Sequence, residues 1–594
     1  MPRVRDRCSM WRAVCLAPLV FAVSLVAIVR AAGLADYVPA DVGICVQARD
    51  LPARVRAFLD GPLGQRLRAH HVVKEWHAKQ GADLQDLRSA LEAHFEMPLG
   101  ELCDGLAGEG LLLGIWPDDT PGGGKGPAVL LLRARDPDVL RRAMQALQDE
   151  QRKAGKLLEP EKVVVAGNTQ LLQVIAPEQD DSRLYLTTVG DLGVLSNTSS
   201  LAVSVLERHA AGVKSAAASL SSLPAYQAAL ARLDSNCAIT LFVNPRTWDA
   251  ALGASIKAEH ADEEVSKDDR EKALAAWRGT EYLVAGVALG ESVQLSAVWH
   301  AQPEALPAEA RELADAISGR AGFLEFVPNH ALVALAGRAQ WGRLARLVWG
   351  ELAAGNADAD QSPAAVAAAD AIIQLLERLG PDCGAFVTAA PDKPPSKLPI
   401  ELGFGLETPS RLPRELADTA RDTADQSLRG ALALLTVLYN QEHPGAQAGL
   451  RTQRVDGVPL TSLVGVKELG DVRPTYTMSV EGLLVGTSPE AVAQATKIAV
   501  DTSLGRSPRV TRVLSGRWSE PSQVLYVDLR GLRELLAKHD GFKQHLIRHS
   551  QSPEADAERG INELVGLLGL ADTLVGACKV APGDLAATLH VATE

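Results

Sequence analysis

Glycine-rich segments are the first places in this sequence where phosphate chemistry could be sought. Such loops hold phosphate when their backbone N–H groups converge directly after a strand. Gly108 and Gly110 are followed by Gly114, one residue too far for the G-x-G-x-x-G spacing, and they precede a strand. The run 122–126 has Asp119 where a Walker loop needs its first glycine, and it lacks the hydroxyl that would hold magnesium. We therefore expect a hairpin tip there, and no cofactor-binding residue is assigned.

Histidines are the next candidates, because imidazoles on one helix face can share a metal ion. His70, His71 and His77 form one such group, and His545 and His549 form another. Neither group has the glutamate of the H-E-x-x-H motif, which activates water in zinc proteases. We interpret both groups as histidines on solvated helix faces.

The segment 356–360 (Asn-Ala-Asp-Ala-Asp) is similar to a calcium-binding loop. It lacks aspartate at its first position, has Gln361 where the loop needs glycine, and has Ala367 where a bidentate glutamate belongs. We interpret it as a capped loop before a helix that begins near Pro363. No metal ligand is assigned anywhere in the chain.

Signatures of an activated nucleophile do not occur in the sequence, which contains neither G-x-S-x-G nor S-x-x-K. The acidic run 259–271 includes Lys267 and Arg270 at helical spacing, which is typical of a solvated helix face. Carboxylates distant in the sequence can still meet in space. The sequence thus assigns no catalytic residue, favours a non-catalytic role and does not decide whether the chain is an enzyme.

Cysteines outside the first 31 residues are single, odd in number and without a close pair. This pattern signals neither a disulfide framework nor a C-x-x-C metal site. Most of them stand in apolar surroundings, which is typical of small buried hydrophobic side chains. They are Cys45, Cys103, Cys237, Cys383 and Cys578.

The N-terminus has the pattern of an export signal. Four arginines precede the uncharged run 13–29 (AVCLAPLVFAVSLVAIV), which as a helix spans roughly 25 Å, slightly less than a bilayer core. Positive charge before an apolar run keeps the N-terminus in the cytoplasm and sends the following chain outward. Val29 and Ala31 fit signal-peptidase cleavage after Ala31. Residues 1–31 are predicted to be a cleaved signal peptide or a retained anchor, which would make the membrane a partner.

The charge balance argues against nucleic acid as a partner. The chain of 594 residues has a formal net charge of −13, and residues 1–31 hold five arginines against one aspartate. The remainder is therefore more acidic than the whole, and phosphate binding needs clustered lysine and arginine. An apolar content of 47% indicates a globular chain with large cores.

The most informative pattern is a repeat at a spacing of about 290 residues. The segment 37–51 (YVPADVGICVQARDL) is echoed by 326–341 (FVPNHALVALAGRAQW). Four further matches follow in the same order: 126–143 with 398–415, 185–201 with 476–492, Pro224 and 240–246 with Pro508 and 524–530, and 280–299 with 572–591. Five collinear matches predict that one unit occurs twice.

Within one unit, short apolar strands alternate with helices. Asp50 and Asp136 are predicted to cap the helices that follow them. Hairpin turns are predicted at Gly167-Asn168, Gly190-Asp191 and Gly290-Glu291, which favour antiparallel pairing. The predicted strands are 42–48, 111–116, 128–133, 163–165, 171–175, 185–189, 193–196 and 238–243. The predicted fold class is α+β: two tandem related repeats, each a mostly antiparallel sheet with packed helices, after an N-terminal signal or anchor helix.

Two motifs carry a resemblance to a known family. Val38-Pro39-Ala40-Asp41 opens a strand directly after the export signal, and a Leu-Pro or Ser-Pro helix precedes a strand ending in Val-Asn or Val-Asp. In these features the chain resembles a broad family of exported bacterial proteins described only as a domain of unknown function. The resemblance covers most of the chain after residue 37 and rests on loose, non-catalytic motifs. It implies an exported location and no mechanism.

The predicted organisation is a signal or anchor at 1–31, a first repeat at 37–300, a connecting helix at 301–325 and a second repeat at 326–594. The predicted role is non-catalytic binding or envelope structure in the periplasm or cell envelope, with an unidentified protein or small molecule as partner. An exported hydrolase with dispersed site residues and a carrier of an apolar ligand are the alternatives. Converging titratable groups in a cleft would favour the hydrolase, and an apolar cavity would favour the carrier.

Export should depend on residues 1–31, because they alone combine a basic flank, an apolar core and a cleavage-like end. The first forty residues are fused to a reporter that is active only outside the cytoplasm, and activity is expected. A fusion lacking residues 1–31 serves as the control. A silent full-length fusion would contradict the prediction, and mass spectrometry of the mature N-terminus distinguishes cleavage from retention.

Overall fold

The chain divides into two compact units in a computed structural model, Met1–Ala308 (unit 1) and Glu309–Glu594 (unit 2). The structure describes residues 33–593, apart from residues that fall in several gaps. These are 119–125, 177–182, 213–218, 250–266, 342–365, 367–369, 371–372, 375, 377–378, 391–398, 408–413, 471, 480–481, 499–501, 540–546 and 548–552. Residues 1–31, the predicted signal or anchor, lie outside the described residues.

Helices lie between the strands in both units. In unit 1 they are α1 (Leu34–Tyr37), α2 (Leu51–Asp60), α3 (Pro62–Ala69), α4 (His71–Phe95), α5 (Leu99–Ala107), α6 (Pro137–Lys153), α7 (Ser199–Ala211), α8 (Pro224–Ala231) and α9 (Lys267–Gly279). The next helix, α10 (Ala308–Ile317), begins at the boundary between the units. Those of unit 2 are α11 (Arg414–Glu442), α12 (Pro489–Ala495), α13 (Pro508–Val513), α14 (Leu529–Lys538) and α15 (Glu554–Leu568).

The strands of unit 1 are joined by antiparallel pairing into one sheet. They are β1 (Ile44–Ala48), β2 (Gly110–Ile115), β3 (Ala128–Arg133), β4 (Glu161–Val165), β5 (Asn168–Ile175), β6 (Leu184–Val189), β7 (Leu192–Ser196), β8 (Cys237–Val243), β9 (Thr280–Leu289) and β10 (Val293–Ala301). Pairing gives the order β4-β5-β6-β7-β3-β2-β1-β8-β9-β10. The first strand of the chain therefore lies inside the sheet.

Unit 2 has strands β11 (Ala331–Arg338), β12 (Asp382–Ala389), β13 (Ile400–Glu407), β14 (Gly449–Val455), β15 (Val458–Val464), β16 (Thr475–Met478), β17 (Gly482–Gly486), β18 (Gln523–Asp528), β19 (Thr573–Ala581) and β20 (Asp584–Ala592). Their antiparallel pairing gives the order β14-β15-β16-β17-β13-β12-β11-β18-β19-β20. This is the order of unit 1 with every number raised by ten.

Tight turns with left-handed backbone set the register of two hairpins. Ala166 and Gly167 join β4 to β5 with φ of 48° and 82°, and Asp456 and Gly457 join β14 to β15 with φ of 52° and 86°. Two successive residues with positive φ define the type I′ turn, whose twist matches the flanking strands. The predicted turn at Gly167-Asn168 is thus one residue late, because Asn168 already belongs to β5.

The two predicted helix caps have different outcomes. The carboxylate of Asp136 accepts hydrogen bonds from the backbone N–H groups of Asp138 and Val139, so it caps α6 as predicted. Asp50 precedes α2, but its backbone is left-handed at φ 53° and its side chain makes no capping bond. The prediction for Asp50 is wrong, because this backbone turns the carboxylate toward Arg135, 3.7 Å away, instead of toward the helix N–H groups.

Each unit has a hydrophobic core packed against its sheet. In unit 1, Leu51, Ala107 and Leu140 are fully buried together with residues of β2 and β3. In unit 2, Phe323 packs on two strands whose facing residues are Gly384 and Gly405. A Cβ at Gly384 would lie 1.8 Å from the Phe323 ring, so glycine is required there.

A short contact holds the opening segment of each unit against a distant loop. The backbone N–H of Leu220 donates to the Val38 carbonyl at 2.8 Å, and that of Leu504 donates to the Val327 carbonyl at 2.7 Å. All four of these residues are fully buried. We call these two contacts the opening clasps.

The prediction of a mixed α and β fold with antiparallel strands is confirmed. The predicted connecting segment 301–325 contains α10 together with short 3-10 turns at Pro303–Ala305 and Phe323–Phe326. None of the helices that the structure describes has the length and apolar content for crossing a membrane.

Candidate ligand-binding site

The central strands of unit 2 are apolar on both faces of the sheet. Side chains alternate between the two faces along a strand. On β11, Ala334 and Ala336 point into the core, whereas Leu335 between them is 53% exposed. On β13, Leu402 is 45% exposed. Large apolar side chains therefore face outward from strands that are central to the sheet.

Strand register places these outward side chains side by side. Leu335 is opposite Ala385, Ala385 is opposite Phe404, and Phe404 is opposite Val485. The next row contains Val333, Val387 and Leu402. Because directly opposite residues are neighbours on one face, the two rows form a continuous apolar floor.

This floor lies at the bottom of a hollow of about 420 Å³, which we call the apolar hollow. Its walls include Val472, Pro474 and Thr487, and only Thr487 contributes a polar side chain to the lining. The volume is within the range of small-molecule sites, about 300–1,000 Å³. Phe404 and Val485 of the floor also pack against the cluster that contains Leu428 and Leu432 of α11, so the helix supports one side.

A second hollow, of about 330 Å³, adjoins the first at Val472, which lines both. Its lining is mostly polar and includes Arg451, Gln453, Ser462 and Arg473. We call it the polar hollow. The segment 472–474 forms a wall between the two hollows, with apolar lining on one side and mostly polar lining on the other.

Titratable groups do not converge in the apolar hollow, since none of its lining residues has an ionisable side chain. The strongest shifts of pKa lie in the cores instead. Burial raises the pKa of the Cys45 thiol to about 12 and that of the Tyr476 hydroxyl to about 12. Burial also raises the pKa of Tyr226, whose hydroxyl donates to the side chain of Gln47 at 3.2 Å. These groups lie in buried surroundings and line neither hollow.

A charged cluster in unit 1 ties α1 to the sheet. A guanidinium N–H of Arg133 donates to the Tyr37 hydroxyl at 2.9 Å, and Arg133 lies 3.5 Å from the Asp191 carboxylate. The His209 ring contacts the Tyr37 ring edge-on, and burial lowers the pKa of this histidine. The cluster joins four elements and borders neither hollow, so we interpret it as structural.

The prediction that the histidines lie on solvated helix faces holds for only some of them. His71 and His77 are exposed on α4, whereas His70 is buried at the residue before this helix and its ring lies 4.5 Å from that of His71. Within the described residues, no group of three or more side chains could hold a metal ion. His545 and His549 lie outside the described residues.

The glycine-rich and acidic segments considered in the sequence do not line either hollow among the described residues. Gly108 directly follows α5 and Gly110 begins β2, so both glycines precede a strand as predicted. Residues 119–125, the loop 356–360 and the acidic run up to residue 266 lie outside the described residues. The structure therefore gives these predictions no geometry.

The cysteine predictions hold in part. Cys45, Cys237 and Cys383 are buried, whereas Cys103 and Cys578 are partly exposed. Burial raises the pKa of the Cys103 and Cys578 thiols as well, which favours the unreactive protonated form.

The apolar hollow was missed in the sequence because apolar strand residues are usually core residues. The signal that could have found it is the sequence ALVALAGR of β11, which is apolar on both faces. An antiparallel strand with one solvated face shows alternation instead. Apolar residues on both faces require either a second covering layer or a ligand.

The fold and the hollows define a class: an antiparallel α+β protein of two units, with an open apolar site on the sheet of the second. No protein family, curated protein or solved structure matches this chain.

Stability should fall on mild acidification, because burial lowers the pKa of His209 and of His590 below the usual 6.5. The folded protein then favours neutral imidazoles, so the unfolded chain binds protons first as pH falls below about 6.5. The thermal midpoint should decrease between pH 7 and pH 5.5 and decrease less in the double variant His209→Asn/His590→Asn. The exposed His77→Asn is the control. An unchanged pH slope in the double variant would contradict this account.

Proposed function

We propose that this chain is an exported, non-catalytic binding protein whose second unit takes up an apolar ligand in the apolar hollow. The observation that carries the proposal is a hollow of about 420 Å³ with an almost wholly apolar lining. The export pattern of residues 1–31 and the resemblance to exported proteins support an extracytoplasmic location. The membrane is a partner if the leader is retained.

The lining favours an apolar ligand for a simple energetic reason. Water in such a hollow finds few hydrogen-bond partners, and its replacement by an apolar group removes apolar surface from water. Each Å² of apolar surface removed is worth about 25 cal/mol. Because Leu335 and Leu402 are about half exposed, a ligand that covers them gains this energy without repacking the core.

The enzyme alternative has less support. A hydrolase needs a nucleophile or a general acid and base beside its bound substrate. The described lining of the apolar hollow offers only Thr487, and its hydroxyl accepts a hydrogen bond from the backbone N–H of Leu402. The geometry therefore favours the carrier, one of the alternatives left open by the sequence.

We further propose that the two units are copies of one duplicated unit. Shared strand order, equivalent opening clasps and the collinear sequence matches support this. Side-chain volumes also compensate at matched positions of the two units. Unit 1 has the fully buried leucines Leu34, Leu112 and Leu131. At the matched positions unit 2 has the larger Phe323, and the two residues that face its ring are the glycines Gly384 and Gly405.

Duplication predicts that the leucine side chains at the two opening clasps have the same structural role. Leu220→Ala and Leu504→Ala should each lower stability by roughly 2–5 kcal/mol, because each removes a fully buried leucine. Differential scanning calorimetry of the full chain measures the loss, and the exposed Leu313→Ala should change little. A large effect at one leucine and none at the other would contradict equivalent roles.

Binding should be measurable with N-phenyl-1-naphthylamine, an uncharged apolar dye that fluoresces when removed from water. Saturable binding is expected, and Leu335→Gln/Leu402→Gln should weaken it about thirtyfold, since two apolar contacts worth about 1 kcal/mol each are lost. Both leucines are partly exposed, so the variant should keep its thermal midpoint.

The matched control is Leu241→Gln, which changes a leucine on β8 of unit 1 that is 36% exposed and does not line the hollow. It should bind the dye like the unaltered protein. Non-saturable dye binding, or equal weakening by the control, would refute the assignment of the hollow.

A further inference from the structure

The polar hollow places two guanidinium groups next to an apolar hollow. Arg451 lies on β14 and Arg473 lies in the wall segment 472–474. Both arginines are exposed and line the polar hollow together with Gln453 and Ser462. Arginine presents several N–H donors in a planar fork that fits carboxylate, sulfonate or phosphate oxygens.

The wall between the hollows is held by backbone hydrogen bonds. The N–H of Arg473 donates to the Thr487 carbonyl at 3.0 Å, and the N–H of Leu463 donates to the Pro474 carbonyl at 2.8 Å. Val472 and Pro474 line the apolar hollow, whereas Arg473 between them lines the polar hollow. A fixed extended segment thus presents apolar groups to one hollow and a cation to the other.

The two cations are not neutralised by nearby carboxylates in the part of the chain that the structure describes. Several other arginines of unit 2 are paired, such as Arg429 with Asp425 at 2.8 Å. Among the described residues, Arg451 and Arg473 have neither an ion pair nor a side-chain hydrogen bond. Glu468, in the turn beside the polar hollow, accepts a hydrogen bond from the Tyr439 hydroxyl.

We infer that the ligand is a single-chain amphiphile with an anionic headgroup. Its apolar chain occupies the apolar hollow, and its headgroup lies in the polar hollow, where Arg451 and Arg473 donate hydrogen bonds to it. This inference rests on the proposed function. It adds the headgroup charge and the two residues that recognise it.

The acidic net charge of the chain does not oppose this assignment. Salt screens exposed charges beyond about 8 Å at physiological ionic strength. The headgroup therefore responds to the two arginines beside it more than to distant carboxylates.

Two probes with the same chain test the inference: dodecyl phosphate and dodecanol, each below its aggregation concentration and each displacing N-phenyl-1-naphthylamine from the full chain. Dodecyl phosphate should bind more tightly than dodecanol at low salt. Arg451→Gln/Arg473→Gln should weaken dodecyl phosphate about tenfold, as expected for loss of charge-assisted hydrogen bonds at a solvated site, and leave dodecanol unchanged.

Arg454→Gln is the matched control, because Arg454 is also exposed on β14 and does not line the polar hollow. It should not change either affinity. Equal binding of the two probes, or no effect of the double variant on dodecyl phosphate, overturns the headgroup assignment while the proposed function stands.

Failure of both probes to displace a dye that binds saturably overturns the single-chain ligand, whereas failure of the dye itself to bind saturably overturns the proposed function. Vesicles of phosphatidylglycerol and phosphatidylcholine provide the last arm. If the chain sediments with these vesicles through Arg451 and Arg473 but takes up no monomeric probe, the site is a bilayer contact and the single-chain ligand is refuted.

Discussion

The central strand of each unit must find backbone partners on both sides, because every unpaired N–H or C=O in a buried strand costs free energy. β1 meets this need with β2 on one side and β8 on the other, and β11 does so with β12 and β18. The opening clasps lie just before these strands. They hold Val38 and Val327 in place and so set where each central strand begins.

From the central strand outward, the two units use their buried faces differently. In unit 1 the core face carries Gln47, whose side-chain oxygen accepts from Tyr226 and from Arg49. Under the proposed duplication, Gln47 and Tyr226 correspond to Ala336 and Val510, which need no polar partners. Buried polar groups must be satisfied as a set, so this network is either kept whole or absent.

The opposite face of unit 2 carries the functional proposal. A core is stabilised by removing apolar surface from water. The outward leucines of β11 and β13 remain about half exposed, so much of their apolar surface does not contribute to this stabilisation. The same strands hold both rows of side chains. Their core-facing side chains are buried, and this packing fixes the position of the outward-facing side chains. The strand register that packs the core therefore also places the side chains of the apolar floor.

Local chemistry made much of the fold predictable. The cap at Asp136, the hairpins and the mixed α and β class follow from short-range rules of capping, turn conformation and periodicity. Asp50 failed because its left-handed backbone depends on tertiary contacts that no short segment encodes. The apolar hollow was beyond prediction for a similar reason: Leu335, Leu402 and Val472 are spread over more than a hundred residues of sequence and become neighbours only through the folding of the sheet.

The interior position of the first strand has a consequence for the order of synthesis. The ribosome releases β1 about 190 residues before β8, a delay of roughly 10 to 40 s at about 5–20 residues per second. During that interval β1 can pair with β2 alone, and its other edge stays open to any passing strand. A nascent chain with such an edge is open to mispairing until β8 arrives, and the same wait recurs between β11 and β18.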